Sequence, residues 1–143
     1  MRSVVSTNLD NMRPFSKKPP PPDVSNGEMT ARYDVKLKFW VFVCDGLEFN
    51  RSGVPFDQRA FDWAKEASAV IRSLDAPMRA RVNECPEDWP CDKSKAEILS
   101  VDLDEYEGSK TMDVAFVGDD SWGDFGVNVI IMNGKIVDAY GGD

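Results

Sequence analysis

The sequence predicts an α+β domain, in which an antiparallel sheet of about five or six strands carries one main amphipathic helix on one face. Three observations lead to this fold class. Apolar and polar residues alternate with period two in several segments, as they do in half-buried strands. One segment has the three- and four-residue apolar spacing of a helix. Short turns join the later strands, which favours antiparallel pairing. The 143 residues suffice for a single domain.

The N-terminal part of the chain differs in composition from the rest. Four successive prolines at positions 19–22 fix φ and remove four backbone donors. Such a run favours polyproline II and excludes a helix or a central strand. Large apolar residues are also few before Tyr33. We therefore predict a disordered or loosely packed proline-rich arm over residues 1–32, followed by a single α+β domain over residues 33–143.

The clearest strand signal follows this arm. Residues 33–44 alternate between two sets of side chains, one of them wholly apolar, which predicts one long strand. The second set is polar at first and apolar toward the end, so the strand should run from an exposed end into a covered one. A loop over residues 45–56 should follow, since Gly46 and Gly53 interrupt the pattern.

One amphipathic helix is predicted over residues 57–74. Asp57 is a suitable N-cap, and Phe56 and Phe61 occupy the positions of a hydrophobic staple. Pro77 ends the helix, because the residue before a proline disfavours helical geometry. The apolar stripe that should face the sheet comprises Ala60, Phe61, Ala64, Ala67, Ile71 and Leu74.

The rest of the chain predicts a meander of strands. The segments with strand character are 78–83, 97–106, 112–116, 125–132 and 135–140. A turn at 107–110 should join the second and third of these strands. Asn133 and Gly134 form a strong type I′ hairpin signal, since both residues accept a positive φ. Consecutive hairpins of this kind predict an antiparallel sheet.

Charge is distributed unevenly along the chain. The net charge is −8, yet residues 1–83 sum to +3 and residues 84–143 to −11. The acidic half repels phosphate backbones, so we predict no nucleic-acid partner. It would attract a protein with a basic surface and accelerate the association. Solubility alone is the other explanation of this acidity.

The chain contains no histidine, which excludes Ser-His-Asp and Cys-His catalysis and His-ligated zinc. No glycine-rich nucleotide-binding motif is present, and we predict no cofactor. The start of the sequence lacks the apolar stretch of a signal peptide, and the longest apolar run, 39–44, is too short to cross a bilayer. Three cysteines suit a reducing compartment. We predict a cytoplasmic protein without a membrane partner.

Clustered carboxylates are the candidate for a metal site. Asp102 and Asp104 lie two residues apart on a predicted strand and so point to the same face. Asp113, on the next strand, would come within reach if the hairpin is in register. Three carboxylates would suit Mg²⁺, Mn²⁺ or Ca²⁺, although outward-facing acids are ordinary on a one-sided sheet. Cys85 and Cys91 have the spacing of neither a zinc knuckle nor a Cys-x-x-Cys motif, and a disulfide or metal clip there is the alternative to two ordinary thiols.

An acidic loop is the candidate binding site. Asp119, Asp120 and Asp124 surround Trp122 between two predicted strands. Tryptophan is enriched at binding hot spots, but it is also a frequent lid on a core. The sequence leaves both interpretations of Trp122 open, and we take these four residues as the binding-site hypothesis.

Together these observations predict a small, acidic, non-catalytic protein-binding domain that docks a basic protein. In composition and layout the chain resembles the acidic α+β immunity and inhibitor proteins that neutralise basic toxins or nucleases, and the resemblance implies a function of that kind. Two alternatives stay open. One is a divalent-metal-dependent enzyme that uses the clustered carboxylates, and the other is an adaptor recognised through its proline-rich arm.

Overall fold

The computed structural model of the protein describes residues 19–84 and 93–142. It confirms the α+β class, with a larger sheet than predicted: eight strands that neighbour one another in sequence order. The strands are β1 (Val24–Asn26), β2 (Met29–Asp34), β3 (Phe39–Cys44), β4 (Leu47–Ser52), β5 (Glu97–Asp102), β6 (Met112–Val117), β7 (Gly126–Met132) and β8 (Lys135–Gly142). The two helices, α1 (Arg59–Ser73) and α2 (Asp75–Glu84), lie between β4 and β5.

Every neighbouring pair of strands is antiparallel except β4 and β5, which pair in parallel. The reason is the helical connection, since parallel neighbours need a crossover and antiparallel ones can be joined by a tight turn. The helices cover one face of the sheet. Aromatic rings fill this interface: the ring of Phe42 on β3 lies 5.8 Å from that of Phe49 and 5.3 Å from that of Phe61 on α1.

The predicted long strand over 33–44 is wrong, because the chain turns back in its middle. Asp34 ends β2, and its carboxylate accepts hydrogen bonds from the backbone N–H groups of Lys36 and Leu37, at 2.9 Å each. Lys38 then takes a positive φ of 62° and leads into β3. The period-two pattern continues through this turn, but Val35 and Leu37 are exposed rather than packed. Aspartate is a frequent turn former for this reason.

The predicted loop over 45–56 contains strand β4. Asp45 and Gly46 both have positive φ, 52° and 79°, as a type I′ hairpin requires. The resulting hairpin pairs β3 with β4 over their whole length, with Phe42 opposite Phe49. An Asp-Gly pair is among the strongest hairpin signals, whereas the predicted loop over 45–56 treats Gly46 only as an interruption of the alternating pattern.

The sheet also begins earlier than predicted, at Val24 rather than near Tyr33. Strands β1 and β2 form a hairpin within the segment assigned to the arm, and Met29 and Ala31 are buried. The four prolines at 19–22 precede β1 and lie outside any helix or strand. The remainder of the predicted arm, residues 1–18, lies outside the described residues.

Helix α1 matches the prediction closely. All of the predicted stripe except Leu74 is buried, and Leu74 is partly buried against the core. The rings of Phe56 and Phe61 are 5.0 Å apart, as a hydrophobic staple requires. The N-cap is Gln58 rather than Asp57, although the Asp57 carboxylate accepts a hydrogen bond from the backbone N–H of Arg59 at 3.1 Å.

Helix α2 replaces the strand predicted at 78–83. Pro77 sits in its first turn, where a missing N–H costs nothing. Met78 and Val82 are four residues apart and fully buried, so they lie on one face of the helix. Because only two buried apolar residues mark one face of this helix, the sequence pattern does not distinguish it from a strand.

The C-terminal strands lie close to the predicted ranges. Asn133 and Gly134 have φ of 51° and 79°, which confirms the predicted turn between β7 and β8. Strand β5 is shorter than the predicted 97–106 and carries an irregularity between Ile98 and Ser100.

Candidate functional site

The face of the sheet opposite the helices, here called the open face, carries acidic groups that form no ion pair with the described part of the chain. The register aligns one side chain from each of strands β2 to β8 into a row: Arg32, Val41, Asn50, Asp102, Asp113, Ile130 and Asp138. Arg32, at the β2 end of this row, forms an ion pair with Asp23 at 3.5 Å. Glu48 on β4 lies on the same side of the sheet. We define the acidic face as four acids of this side: Glu48, Asp102, Asp113 and Asp138. None of the four forms an ion pair with any residue in the described ranges.

Asp102 and Asp113 stand directly opposite each other on antiparallel strands. Neutral donors orient both carboxylates. Asp113 accepts hydrogen bonds from the Asn128 amide at 2.7 Å and from the Tyr140 hydroxyl at 3.1 Å. Asp102 accepts one from the backbone N–H of Asp104 at 2.7 Å. The two negative charges are therefore fixed in place without a compensating cation among the described residues.

The environment of Asp102 disfavours its charge. Burial raises the pKa of this carboxyl, and the nearby charges of Asp104 and Asp113 raise it further. The backbone hydrogen bond from Asp104 acts in the opposite direction and is outweighed. Burial and the charge of Asp113 also raise the pKa of Tyr140, so its hydroxyl stays protonated as a donor.

Asn50 is the unusual polar residue of the open face. It is only 7% exposed, and its side chain forms no hydrogen bond with the residues that the structure describes. It is the register partner of Asp102 in the parallel pairing of β4 with β5. Its amide atoms are not among the fully buried unpartnered atoms, so they still reach the surface of the sheet. The neighbouring polar side chain in the row is the Asp102 carboxylate, which forms no ion pair with the described residues.

A groove of about 500 Å³ opens at one end of the open face. Leu99, at the irregularity in β5, and Tyr140 on β8 both line it. Asn128 also lines the groove and connects it to Asp113 through its hydrogen bond. Asp124 is the one acid among the lining residues, which are otherwise mostly apolar.

The predicted three-carboxylate metal site is not assembled. Asp102 and Asp113 are neighbours as expected, but Asp104 lies beyond the end of β5. Its carboxylate accepts hydrogen bonds from the backbone N–H and the hydroxyl of Ser52, at 2.6 and 2.8 Å. Among the described residues, no group of three or more histidine, cysteine or acidic side chains is arranged to hold a metal ion.

Of the two interpretations of Trp122, the structure favours the core. The side chain is 1% exposed and lies 5.7 Å from the ring of Phe125. A Cβ added at Gly118 would overlap the indole, so the ring packs directly on the backbone there. A residue at this depth cannot act as a binding anchor without unpacking the core.

The three aspartates of the loop are exposed, but they face different surroundings. Asp119 caps the short 3₁₀ helix Asp120–Trp122 by accepting from the backbone N–H and hydroxyl of Ser121, at 3.0 and 2.6 Å. These hydrogen bonds lower the pKa of Asp119. Of the three, only Asp124 borders the groove of the open face. The loop thus contributes one acid to that face.

The cysteines add no site within the described part of the chain. Cys44 is buried at the end of β3, and burial raises the pKa of its thiol. The predicted alternatives for Cys85 and Cys91 lie outside the described residues.

On the helix side, the positive charges are held by internal partners. We define the arginine cluster as Arg51, Asp57, Arg59, Trp63 and Glu107. Arg59 donates to Asp57 at 2.7 Å and to Glu107 at 2.8 Å, and its hydrogen bonds lower the pKa of both carboxyls. The guanidinium groups of Arg51 and Arg59 lie 5.2 and 5.0 Å from the centre of the Trp63 ring.

Sequence reasoning missed Asn50, Asn128 and Tyr140, which orient or border the two central acids. Asn128 alternates with buried residues on β7, and Tyr140 follows the partly buried Ala139 on β8, so alternation along the predicted strands places both on the open face. Asn50 could be found only after the Asp45-Gly46 hairpin had been recognised, because it lies on β4.

Comparison with known proteins identifies no relative: no protein-family model, no curated protein and no solved structure matches the chain. Within residues 19–84 and 93–142, neither helix has the length and apolar character needed to span a bilayer.

Proposed function

We propose that this protein is a small, acidic, non-catalytic binding domain, similar in mode to immunity and inhibitor proteins, that docks a basic protein on the open face of its sheet. The observation that carries the proposal is the set of four carboxylates on the acidic face that form no ion pair with any described residue. Complementary charge on a partner would accelerate association and select against acidic competitors.

The scaffold suits recognition because the acids project from strands rather than from a loop. Strands β4 to β7 each have two neighbours, which fixes the positions of Asp102 and Asp113. Apolar side chains flank them: Val41 and Ile130 are partly buried, and Val43 and Leu99 are more than half exposed. A partner that covers this face would bury apolar area together with the charges, as protein interfaces do.

The test compares three tagged proteins as bait in a lysate of the cells that make the protein. The first is the wild type. The second, the open-face variant, is Glu48→Gln, Asp102→Asn and Asp113→Asn. The third is a matched control with the same loss of charge on the helix side: Asp62→Asn, Asp75→Asn and Glu84→Gln. Circular dichroism and thermal melting establish that all three are folded before retained proteins are quantified at low and high salt.

We expect a basic protein that the wild type and the helix-side control retain and the open-face variant loses. Once that protein is purified, calorimetry should show that the open-face variant binds it with an affinity roughly tenfold or more below that of the wild type at low salt. The difference should be smaller at high salt. Equal retention by both variants would place the binding site elsewhere. A retained partner without a basic surface, or no retained protein, would contradict the proposal.

A further inference from the structure

Three unmet interactions coincide at the middle of the open face. Asp102 and Asp113 are like charges placed directly opposite each other, an arrangement that destabilises a sheet. Neither has a cation among the described residues. The third is the side-chain amide of Asn50: the residue is more than nine-tenths buried, its amide atoms still reach the surface, and they form no hydrogen bond with the described residues. All three side chains belong to one row, on the adjacent strands β4, β5 and β6.

The hydrogen bonds already present restrict what can bind there. Both oxygens of Asp113 accept a bond, from Asn128 and Tyr140, and one oxygen of Asp102 accepts the N–H of Asp104. Each carboxylate oxygen has two acceptor sites, so acceptor capacity is left over on both acids. A ligand that brings several donors and a positive charge satisfies the carboxylates and the carbonyl of Asn50 together.

A guanidinium group meets this description better than a metal ion or an ammonium group. It is planar, carries five N–H donors in a fixed fork, and is weakly hydrated, so it can bridge two carboxylates and stack beside Tyr140. Mg²⁺ demands near-octahedral oxygen coordination, which a flat row of three side chains does not supply. Lysine offers a point charge without the fork.

We propose that Asn50, Asp102 and Asp113 form a receptor for the guanidinium group of one arginine side chain on the protein partner. The inference rests on the proposed function and deepens it, because it assigns the chemistry at the centre of the docking face. The bound arginine neutralises the two opposed carboxylates and gives the Asn50 amide its missing partner.

The receptor can be tested without the partner, by NMR on the full-length ¹⁵N-labelled protein. The probes are N-acetyl-arginine amide, its neutral urea analogue N-acetyl-citrulline amide, and N-acetyl-lysine amide, at low ionic strength. The readout is the side-chain amide signal of Asn50, assigned by its loss in Asn50→Leu. We expect a saturable shift with the arginine probe in the millimolar range, a weaker response to lysine and none to citrulline.

Two variants localise the effect. Asp102→Asn keeps the side-chain oxygen that accepts the hydrogen bond from the Asp104 N–H and removes the charge. It should reduce the affinity for the arginine probe by about three- to tenfold. Asp62→Asn makes the same change on helix α1, outside the acidic face, and should leave the affinity for the arginine probe within about twofold of the wild type. Equal weakening by the two variants would mean diffuse attraction and would overturn the receptor.

Other outcomes also overturn it. A stronger Asn50 response to Ca²⁺ or Mg²⁺ than to the arginine probe would identify a metal site instead, and equal responses to arginine and lysine would remove the guanidinium specificity. If arginine produced no response and a basic partner were still captured through the acidic face, the arginine receptor would be wrong and the proposed function would stand. If arginine produced the expected response but no partner were captured through the acidic face, the receptor would stand and the proposed function would be wrong.

Discussion

The arginine cluster and the acidic face treat charge in opposite ways. In the cluster, Arg59 lies between Asp57 and Glu107, with hydrogen bonds of 2.7 and 2.8 Å. On the acidic face, Asp102 and Asp113 face each other with no cation in the described part of the chain. In the first arrangement the charges are paired within the described fold, whereas in the second the two carboxylates have no cationic partner among the described residues.

The difference has an energetic consequence. Removing a charge from a paired, partly buried cluster leaves its partners unsatisfied and destabilises the fold. Removing one of two like charges that face each other relieves their repulsion and stabilises the fold. Surfaces that serve binding often carry such a cost in stability. Variants of the two regions should therefore change the free energy of unfolding in opposite directions.

The largest effect is expected for Arg51→Ala in the arginine cluster. The Arg51 guanidinium donates to the carbonyl oxygens of Leu103 and Asp104, at 2.9 and 3.0 Å, and lies over Trp63. Since the side chain is mostly buried, its loss should reduce the free energy of unfolding by about 3 kcal/mol, measured by urea denaturation.

Arg72→Ala is the matched control for this variant. The Arg72 side chain is 68% exposed, with a single ion pair of 3.8 Å to Asp45, so its loss should cost no more than about 0.5 kcal/mol. If both variants lost a similar free energy of unfolding, the arginine cluster would not stabilise the fold more than an exposed ion pair does. The contrast drawn with the acidic face would then be wrong for the cluster.

The next effect should have the opposite sign. Asn50→Leu replaces an unpartnered, nearly buried amide by an apolar group of similar size on the open face. It should raise the free energy of unfolding by about 1 kcal/mol, because the amide loses most of its contact with water on folding and gains no hydrogen bond within the described residues. Asn128→Leu is the control: this amide donates to Asp113 at 2.7 Å, so its loss should destabilise. Destabilisation by Asn50→Leu would show that the amide is already satisfied.

A smaller gain, dependent on pH, is expected for Asp102→Asn. The pKa of Asp102 is raised in the folded protein, chiefly by burial, so the folded state binds that proton more tightly than the unfolded chain. Ionised Asp102 therefore lowers stability above its folded pKa, and the penalty disappears as the pH falls below its unfolded pKa. Asp102→Asn should gain about 0.2–1 kcal/mol at pH 7 and nothing near about pH 3.

Denaturation curves of the wild type and Asp102→Asn across this pH range measure the difference. Asp138→Asn, on the same face, provides the baseline for an exposed acid. A gain that stays constant with pH, or that grows as the pH falls, would show that the charge of Asp102 is not the source of the cost.

The sequence predicted those parts of the molecule in which one period extends over many residues. Helix α1 has a long apolar stripe, and β7 and β8 are joined by Asn133 and Gly134, so both features follow from local pattern. The alternation that runs through Val35 concealed the turn between β2 and β3, because the turn depends on the Asp34 side chain rather than on hydropathy. Helix α2 was too short for its period to be recognised.

The candidate site was predictable only in part, for a related reason. The same-face placement of Asp102 and Asp113 follows from alternation and a short hairpin. Asn50 reaches them through the parallel pairing of β4 with β5, which depends on a crossover of two helices and leaves no local signal. The burial of Trp122 depends on its contact with Gly118, where the absence of a Cβ makes room for the indole.

The smallest expected effect on stability belongs to the loop variant Asp119→Asn, Asp120→Asn and Asp124→Asn. Asparagine retains the oxygen with which Asp119 caps the 3₁₀ helix, and the three charges are exposed. The free energy of unfolding should therefore change by no more than about 0.5 kcal/mol.

With a purified basic partner, association of this loop variant should slow several-fold at low salt, less than for the open-face variant, and the effect should decrease as salt rises. Asp124→Asn alone should account for most of the change, since of these three acids only Asp124 borders the groove. If Asp119→Asn and Asp120→Asn instead reproduced the full loss, measured by stopped-flow association rates, the loop rather than the sheet would be the docking surface.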